Sequence, residues 1–405
     1  MSPATTNSRY ENFVIVLLLM FPVVINSIKI LGNLILLVLV VLGAYIVLTQ
    51  RQNPFRIPGL KLLSWITVGY FLVMLVSILI ADGFSAQFHH LGRKAHFLLT
   101  PLVALAIYRV NIPIVKILQS LKFGLIIIGV ITIYQFMFDH PRPSGMINAN
   151  IFGDIAVAML FLSLVRIFKE SNNERMLTIV SSIFGLTAII LSSSRGSWLS
   201  FIILGIIFLI IIYPKYINKY NKRKLFLFLF ISIFLVIIPQ TKVSDKVVQA
   251  IENIQDWKSG DTKFSSSGAR MEMWKAGLLA SSDAPFFGYG YRNANLIASK
   301  YATQNQDMIE KFTHLHNEYI TNLTSAGLIG LASLLVLLVA PLIIFIQNLK
   351  HGDKYHYALM GVLLCVGYAT FGFSHIAFGE EHVNAFYVLF LSFLLPRVIR
   401  SNSSL

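Results

Sequence analysis

Twelve apolar runs divide the 405-residue chain, at about 13–27, 32–49, 62–81, 95–109, 119–138, 151–168, 176–193, 197–213, 224–240, 318–347, 356–374 and 384–398. A helix that crosses a bilayer needs roughly 20 apolar residues, and inside lipid a helix satisfies its own backbone polar groups. The runs therefore predict an all-α polytopic membrane protein of about 12 transmembrane helices. Composition agrees: 13% of residues are charged, against about 25% in a soluble domain. Only one connection is long, at roughly 241–316. The expected organisation is spans 1–9 in residues 1–240, a partly helical loop domain over 241–316, and spans 10–12 in 317–405.

Lys and Arg set the orientation, because short cytoplasmic loops carry the excess. Arg51, Arg56, Lys61, Lys222-Arg223-Lys224, Arg397 and Arg400 fall on the side shared by both termini. Short loops on the other side hold Lys29, Arg93, Lys94, Arg142 and Arg195. Both termini are thus expected in the cytoplasm, with the long loop outside. The formal charge of +15 then reflects topology and membrane lipid headgroups, with no nucleic acid partner. The first run lacks a charged n-region and a small-residue cleavage site, so it reads as an uncleaved span. Cys365 is the single cysteine, which excludes a disulfide framework, and no P-loop pattern suggests nucleotide hydrolysis.

A cation in a short outer loop opposes the insertion bias, so each asks for a reason. Arg195 stands in Ser192-Ser193-Ser194-Arg195-Gly196-Ser197-Trp198, a turn of very few residues between two apolar spans. Such a turn holds its guanidinium at the membrane interface, either snorkelling or facing an anion. In the long loop, Ser265-Ser266-Ser267-Gly268 precedes Arg270, with apolar Met271, Trp274 and Leu278 following, which predicts a capped helix. Free N–H groups at that N-terminus together with Arg270 would suit an anion. Pro285-Phe286-Phe287-Gly288-Tyr289-Gly290-Tyr291 reads as an aromatic turn, for the interface or for stacking on a sugar.

The loop ends in His314-Leu315-His316-Asn317-Glu318-Tyr319 and runs into the tenth span. Imidazole, with an ordinary pKa of about 6.5, suits a general base near neutrality. An unbroken helix would set His316 and Gly327 on one face about 16 Å apart. The small residue would leave a groove for a chain or for a neighbouring helix, extended by Gly330. His314, His316, His375, Glu380, Glu381 and His382 all map to the outer side, but none has H-E-x-x-H or paired-Cys spacing. No metal and no cofactor is expected.

Ser-Ser-Gly-Ala-Arg270-Met-Glu-Met-Trp, then Phe-Phe-Gly-Tyr-Gly, then His-Leu-His316-Asn-Glu with Gly327 eleven residues after the histidine, resemble the O-antigen ligases of Gram-negative bacteria. The Ser-Ser-Ser-Arg195-Gly turn looks like their other arginine motif, and the span pattern matches over nearly the whole chain. O-antigen polymerases and protein O-oligosaccharyltransferases share parts of these motifs. The resemblance implies a GT-C-like membrane glycosyltransferase of the bacterial inner membrane. Its reaction would move a glycan from undecaprenyl diphosphate to a sugar hydroxyl of lipid A–core at the periplasmic face, inverting and without metal. Arg195 and Arg270 would hold the departing diphosphate, and His316 would take or position the acceptor hydroxyl proton. Lys94 and Arg93 would complete the phosphate site, Asn317 and Glu318 would orient His316, and Arg142 with Asn150 would line the donor entrance. The rivals are a polymerase using the same donor and, from another class, a transporter of lipid-linked glycans. Transporters show paired repeats and polar groups near the midplane, whereas here the polar candidates gather at one face.

Overall fold

The computed structural model describes residues 8–28, 30–81, 91–138, 142–216, 266–304 and 306–399, with Val248, Glu252 and Gln255 inside the remaining stretch. Among the described residues the chain is helical and has no strand. Helices α1 (Ser8–Val24), α2 (Leu31–Gln50), α3 (Pro58–Ile80), α4 (Ala95–Tyr108) and α5 (Ile114–Phe138) are followed by α6 (Ala149–Ser163), α7 (Asn172–Leu191) and α8 (Arg195–Tyr216). The stretch between α8 and the next long helix contributes α9 (Ser266–Asp283), α10 (Tyr291–Tyr301) and α11 (Gln306–Lys311). Then come α12 (Glu318–Asn348), α13 (Tyr355–Phe371) and α14 (Glu381–Ile399).

Eight helices among the described residues are long and apolar enough to cross a membrane, and Tyr355–Phe371 is a shorter apolar one. Helices α1 and α4 occupy two more of the twelve expected positions. The ninth expected span, 224–240, lies outside the described residues, as do Lys29, Lys222-Arg223-Lys224, Arg400 and the start of the long loop. The described residues are those of an all-helical, multi-pass membrane protein.

Burial sorts the helices. α6 and α14 are enclosed almost all round, while α2, α7 and α12 keep a lipid-facing side with residues such as Leu37, Ile183 and Val336 exposed. A helix apolar on every face belongs inside a bundle. α6 is packed by α5, α7, α8 and α13, and α14 by α4 and α13. An aromatic cluster fills the centre: Phe378 meets Phe97 at 5.3 Å, Tyr368 at 5.5 Å and Tyr387 at 5.1 Å between ring centroids. Its rings are buried, so it forms a fixed base beneath the loop side.

The expected helix after Ser265–Gly268 is α9. Ala269, Met273, Ala276 and Ala280 are buried, whereas Met271 and Trp274 are half-buried and Leu278 is exposed. Small residues let α9 approach α12 closely: a Cβ on Gly277 would lie 2.5 Å from the Leu315 side chain and 2.9 Å from Ile320. Ala269, Met273 and Ala276 form a small separate core with Ala298, Ala302, Ile309 and Leu315.

Candidate functional site

Helix α12 is not the unbroken helix that the sequence suggests. His316 lies two residues before it with φ 50°, and Asn317 is its N-cap, its side chain accepting from Ile320 N–H at 3.0 Å. At Gly327 the backbone leaves helical geometry (φ 65°, ψ −162°). His316 and Gly327 therefore do not share one helix face. The freed backbone is taken up by the aromatic turn. Leu328 N–H donates to Pro285 O at 2.6 Å, Tyr289 N–H to Thr324 O at 3.0 Å, and Gly290 N–H to Ser325 O at 2.8 Å. A Cβ on Gly327 would sit 2.2 Å from the Phe286 carbonyl carbon, so both the positive φ and the close approach require glycine there. The role of Gly327 is to seat the 285–290 turn inside a broken span.

On the loop side a cavity of about 290 Å³ opens, lined by Arg142, Asn150, Ser193–Gly196, Ser267, Arg270 and Ser374. Its parts come from five places, one of them the connection between α5 and α6 that carries Arg142. Asn150 is in the first turn of α6, where the Asn148 side chain caps the helix by accepting from Asn150 N–H at 2.9 Å. Arg195 is the first residue of α8, after a turn in which Ser193 takes φ 55°. Ser267 and Arg270 belong to the first turns of α9, and Ser374 to the connection after α13. Three helix N-termini, those of α6, α8 and α9, thus meet one cavity, and partial positive charge at such ends favours anions.

Three guanidiniums face this space. Arg142 donates from Nε to Ser192 O at 2.9 Å and from Nη2 to Asn150 Oδ1 at 2.7 Å. Arg195 donates to Ser267 Oγ at 3.1 Å. Burial, then Arg195 and Arg142, push the Arg270 pKa down; arginine remains charged at neutral pH even so. Like charges gathered this closely repel, and a bound anion would relieve that repulsion.

His316 is beside this charge. Its ring lies 4.4 Å from that of His314 and 5.1 Å from that of Phe312 between centroids. Nδ1 is buried without a hydrogen-bond partner. Burial first, then the charges of Arg270 and His375, lower its pKa to about 4. For His314, burial and then His316 lower it to about 3. Both imidazoles are neutral near pH 7, which is the state a proton acceptor needs.

The remaining expected residues are placed differently. Lys94 is 2% exposed, away from the cavity lining, 3.7 Å from Glu318 Oε1 and 2.6 Å from Tyr70 Oη, between the rings of Tyr70 and Tyr291. Glu318 also accepts from Asn322 Nδ2 at 2.7 Å and Phe378 N–H at 2.9 Å. Desolvation makes each charge need the other, so the Lys94–Glu318 pair secures the start of α12. Asn317, through its cap and a 3.5 Å bond to Phe373 O, secures the backbone next to His316. Arg93 donates to Gly379 O at 3.4 Å and does not line the cavity.

Sequence reading named Ser267 only in the start of a capped helix and His375 only among the outer-side residues weighed for a metal, and it missed Ser374 and Asp154. One signal was available: Asp154 is a carboxylate inside an apolar run, a position that ionisable groups occupy for a reason. His375 Nε2 and Asp154 Oδ2 are hydrogen-bonded and buried, and Ser197 Oγ donates to Asp154 Oδ1 at 2.7 Å. Among the described residues no group of three His, Cys, Asp or Glu gathers as metal ligands.

A family profile described as O-antigen ligase matches residues 180–335, a stretch that contains Arg195, Arg270, His316 and Gly327. An uncharacterized protein of Haemophilus influenzae is 26% identical over 333 residues, covering 78% of this chain and 81% of its own length. The matched segment, with its arginine turn, capped loop helix and histidine before a broken span, is what this chain has in common with the O-antigen ligase family.

Proposed function

We propose that the protein is an O-antigen ligase, transferring a glycan from undecaprenyl diphosphate to a sugar hydroxyl of lipid A–core at the periplasmic face of the inner membrane. The observation that carries this reading is the convergence of Arg142, Arg195 and Arg270 on one cavity, with neutral His316 next to Arg270. Guanidinium offers forked donors that match phosphate oxygens and stays charged. A donor already activated as a diphosphate needs no nucleotide, in keeping with a chain that has no P-loop pattern.

In this reading the acceptor oxygen attacks the anomeric carbon from the face opposite the diphosphate, which inverts that centre. The bond between the anomeric carbon and the diphosphate oxygen breaks, and its electron pair leaves with the diphosphate. Arg195 and Arg270 stabilise that growing charge, as donors aimed at developing negative charge do. The hydroxyl proton passes to His316, whose neutral state leaves a ring nitrogen able to accept it. Arg142 and Asn150 line the donor side of the cavity. Lys94, Glu318 and Asn317 hold the start of α12, and Arg93 holds the 379 region.

The test is transfer by purified protein in detergent, given undecaprenyl-diphosphate glycan and lipid A–core, without nucleotide and with a chelator. A slower-migrating core with wild type, absent with His316→Ala, supports the ligase. Elongation of the lipid-linked glycan without core modification would replace it with the polymerase reading, and inhibition of transfer by the chelator would contradict the metal-independent chemistry.

A further inference from the structure

The connection from Gly372 to Phe378 touches both halves of the site. At the histidine side, Glu318 N–H donates to Gly372 O at 2.7 Å, Asn317 Nδ2 to Phe373 O at 3.5 Å, and Phe378 N–H to Glu318 Oε2 at 2.9 Å. Phe378 is buried in the central aromatic cluster. At the arginine side Ser374 lines the cavity and lies against Gly196, where a Cβ would come 2.0 Å from Ser374 Oγ. His375, between these contacts, is bonded to Asp154 of α6. The other oxygen of that carboxylate accepts from Ser197 in the first turn of α8, two residues after Arg195. Gly153 makes the approach possible, since a Cβ there would lie 2.6 Å from Ser197 Oγ.

We infer that Asp154 and His375 are positioning residues, a buried clamp that fixes the 372–378 connection to the starts of α6 and α8 and so sets the distance between His316 and the arginine cavity. The inference deepens the ligase reading and rests on it for the identity of the bound diphosphate. The physical reason is the cost of burying charge. His375 and Asp154 are almost completely inaccessible to water, and a buried pair is held tightly because neither partner tolerates separation. Burial pushes the His375 imidazole down. The Asp154 carboxylate, by charge and by hydrogen bond, then the Ile376 backbone and Glu318, push it up by more. A charged, hydrogen-bonded pair is short and directional, which suits a clamp between three chain segments better than an apolar contact would.

The test uses purified full-length protein with inorganic pyrophosphate as the probe and diethyl pyrocarbonate modification of His316, read by mass spectrometry. Wild type, His375→Gln and Asp154→Asn are compared, with pyrophosphate affinity and thermal unfolding measured on each. Asp154→Asn keeps an oxygen to accept from Ser197 and nearly the same volume, so it guards against simple loss of fold. With pyrophosphate at about ten times its Kd, His316 modification in wild type slows about tenfold. In both variants pyrophosphate still binds within about threefold of wild type, but the protection of His316 falls below about twofold. Full protection in either variant would overturn the clamp, and so would unprotected His316 in wild type. Loss of pyrophosphate binding together with a collapsed unfolding temperature in both variants would overturn it as well, by showing a role in folding alone. The readout needs no glycan transfer, so a wild type that shows the protection pattern but moves no glycan would refute the ligase reading and leave the clamp standing.

Discussion

Arg195 donates to Ser267 Oγ at 3.1 Å, joining the first residue of α8 to the first turn of α9 across 72 residues of chain. The bond links α8 to α9 at the cavity, so the arginine both shapes the cavity and faces it. The chemistry proposed for this site depends on the forked geometry of that side chain.

Arg195→Lys therefore tests geometry apart from charge. Lysine keeps the cation but loses the paired donors. Losing one charge-assisted hydrogen bond, worth about 1.5–3 kcal/mol, lowers transfer turnover about tenfold to a hundredfold. Steady-state assay of glycan transfer checks it, and full activity in the lysine variant would contradict the bidentate role.

The pH dependence has a defined sign. His316 has its pKa lowered to about 4 by burial, Arg270 and His375, so it is neutral at every pH above that value. Turnover should stay level from about pH 8 down to about pH 5 and fall on protonation near 4, whereas an unperturbed imidazole would lose activity near 6.5. Arg270→Gln removes one depressing charge and moves the acid limb upward, beside its loss of rate. A pH–rate profile of the two proteins reads both effects.

Gly327→Ala is expected to be severe. It places a Cβ 2.2 Å from the Phe286 backbone at φ 65°, combining backbone strain of about 1–3 kcal/mol with overpacking of about 1–3 kcal/mol. Gly69→Ala in α3 is the contrast, since nothing lies within 4 Å of its Cβ; its effect stays within about 1 kcal/mol. Unfolding in detergent, followed by denaturant or heat, separates the two.

Glu318→Gln leaves the buried Lys94 ammonium without its anion. Breaking a buried pair from one side costs about 3–5 kcal/mol. Removing both charges, with Lys94→Met added, restores most of that loss. A double-mutant cycle on unfolding gives the coupling, and equal losses in the single and double variants would contradict it.

Much of this was legible in the sequence because bilayer spans are long apolar runs, and because Arg195, Arg270 and His316 sit in short motifs at their ends. The break in α12 was not, since apolar periodicity continues through Gly327 and only the docked 285–290 turn reveals where its backbone bonds go. Lys94 read as a phosphate ligand because its partner, Glu318, is 224 residues away in the chain. Asp154 and His375 are 221 residues apart, and no local pattern announces such a pair. In helix α9 no sequence pattern marks the buried face: contact with α12 at Gly277 selects the alanines, while Met271 and Trp274 stay half-buried and Leu278 exposed.

The most direct measurement is an experimental structure of the full-length protein with undecaprenyl diphosphate bound. The two phosphorus atoms are predicted within the cavity formed by Arg142, Arg195, Arg270 and Ser374, with His316 on the side open to an acceptor. A diphosphate held elsewhere, for example in the apolar groove lined by Leu36, Leu99 and Val388, would contradict the account.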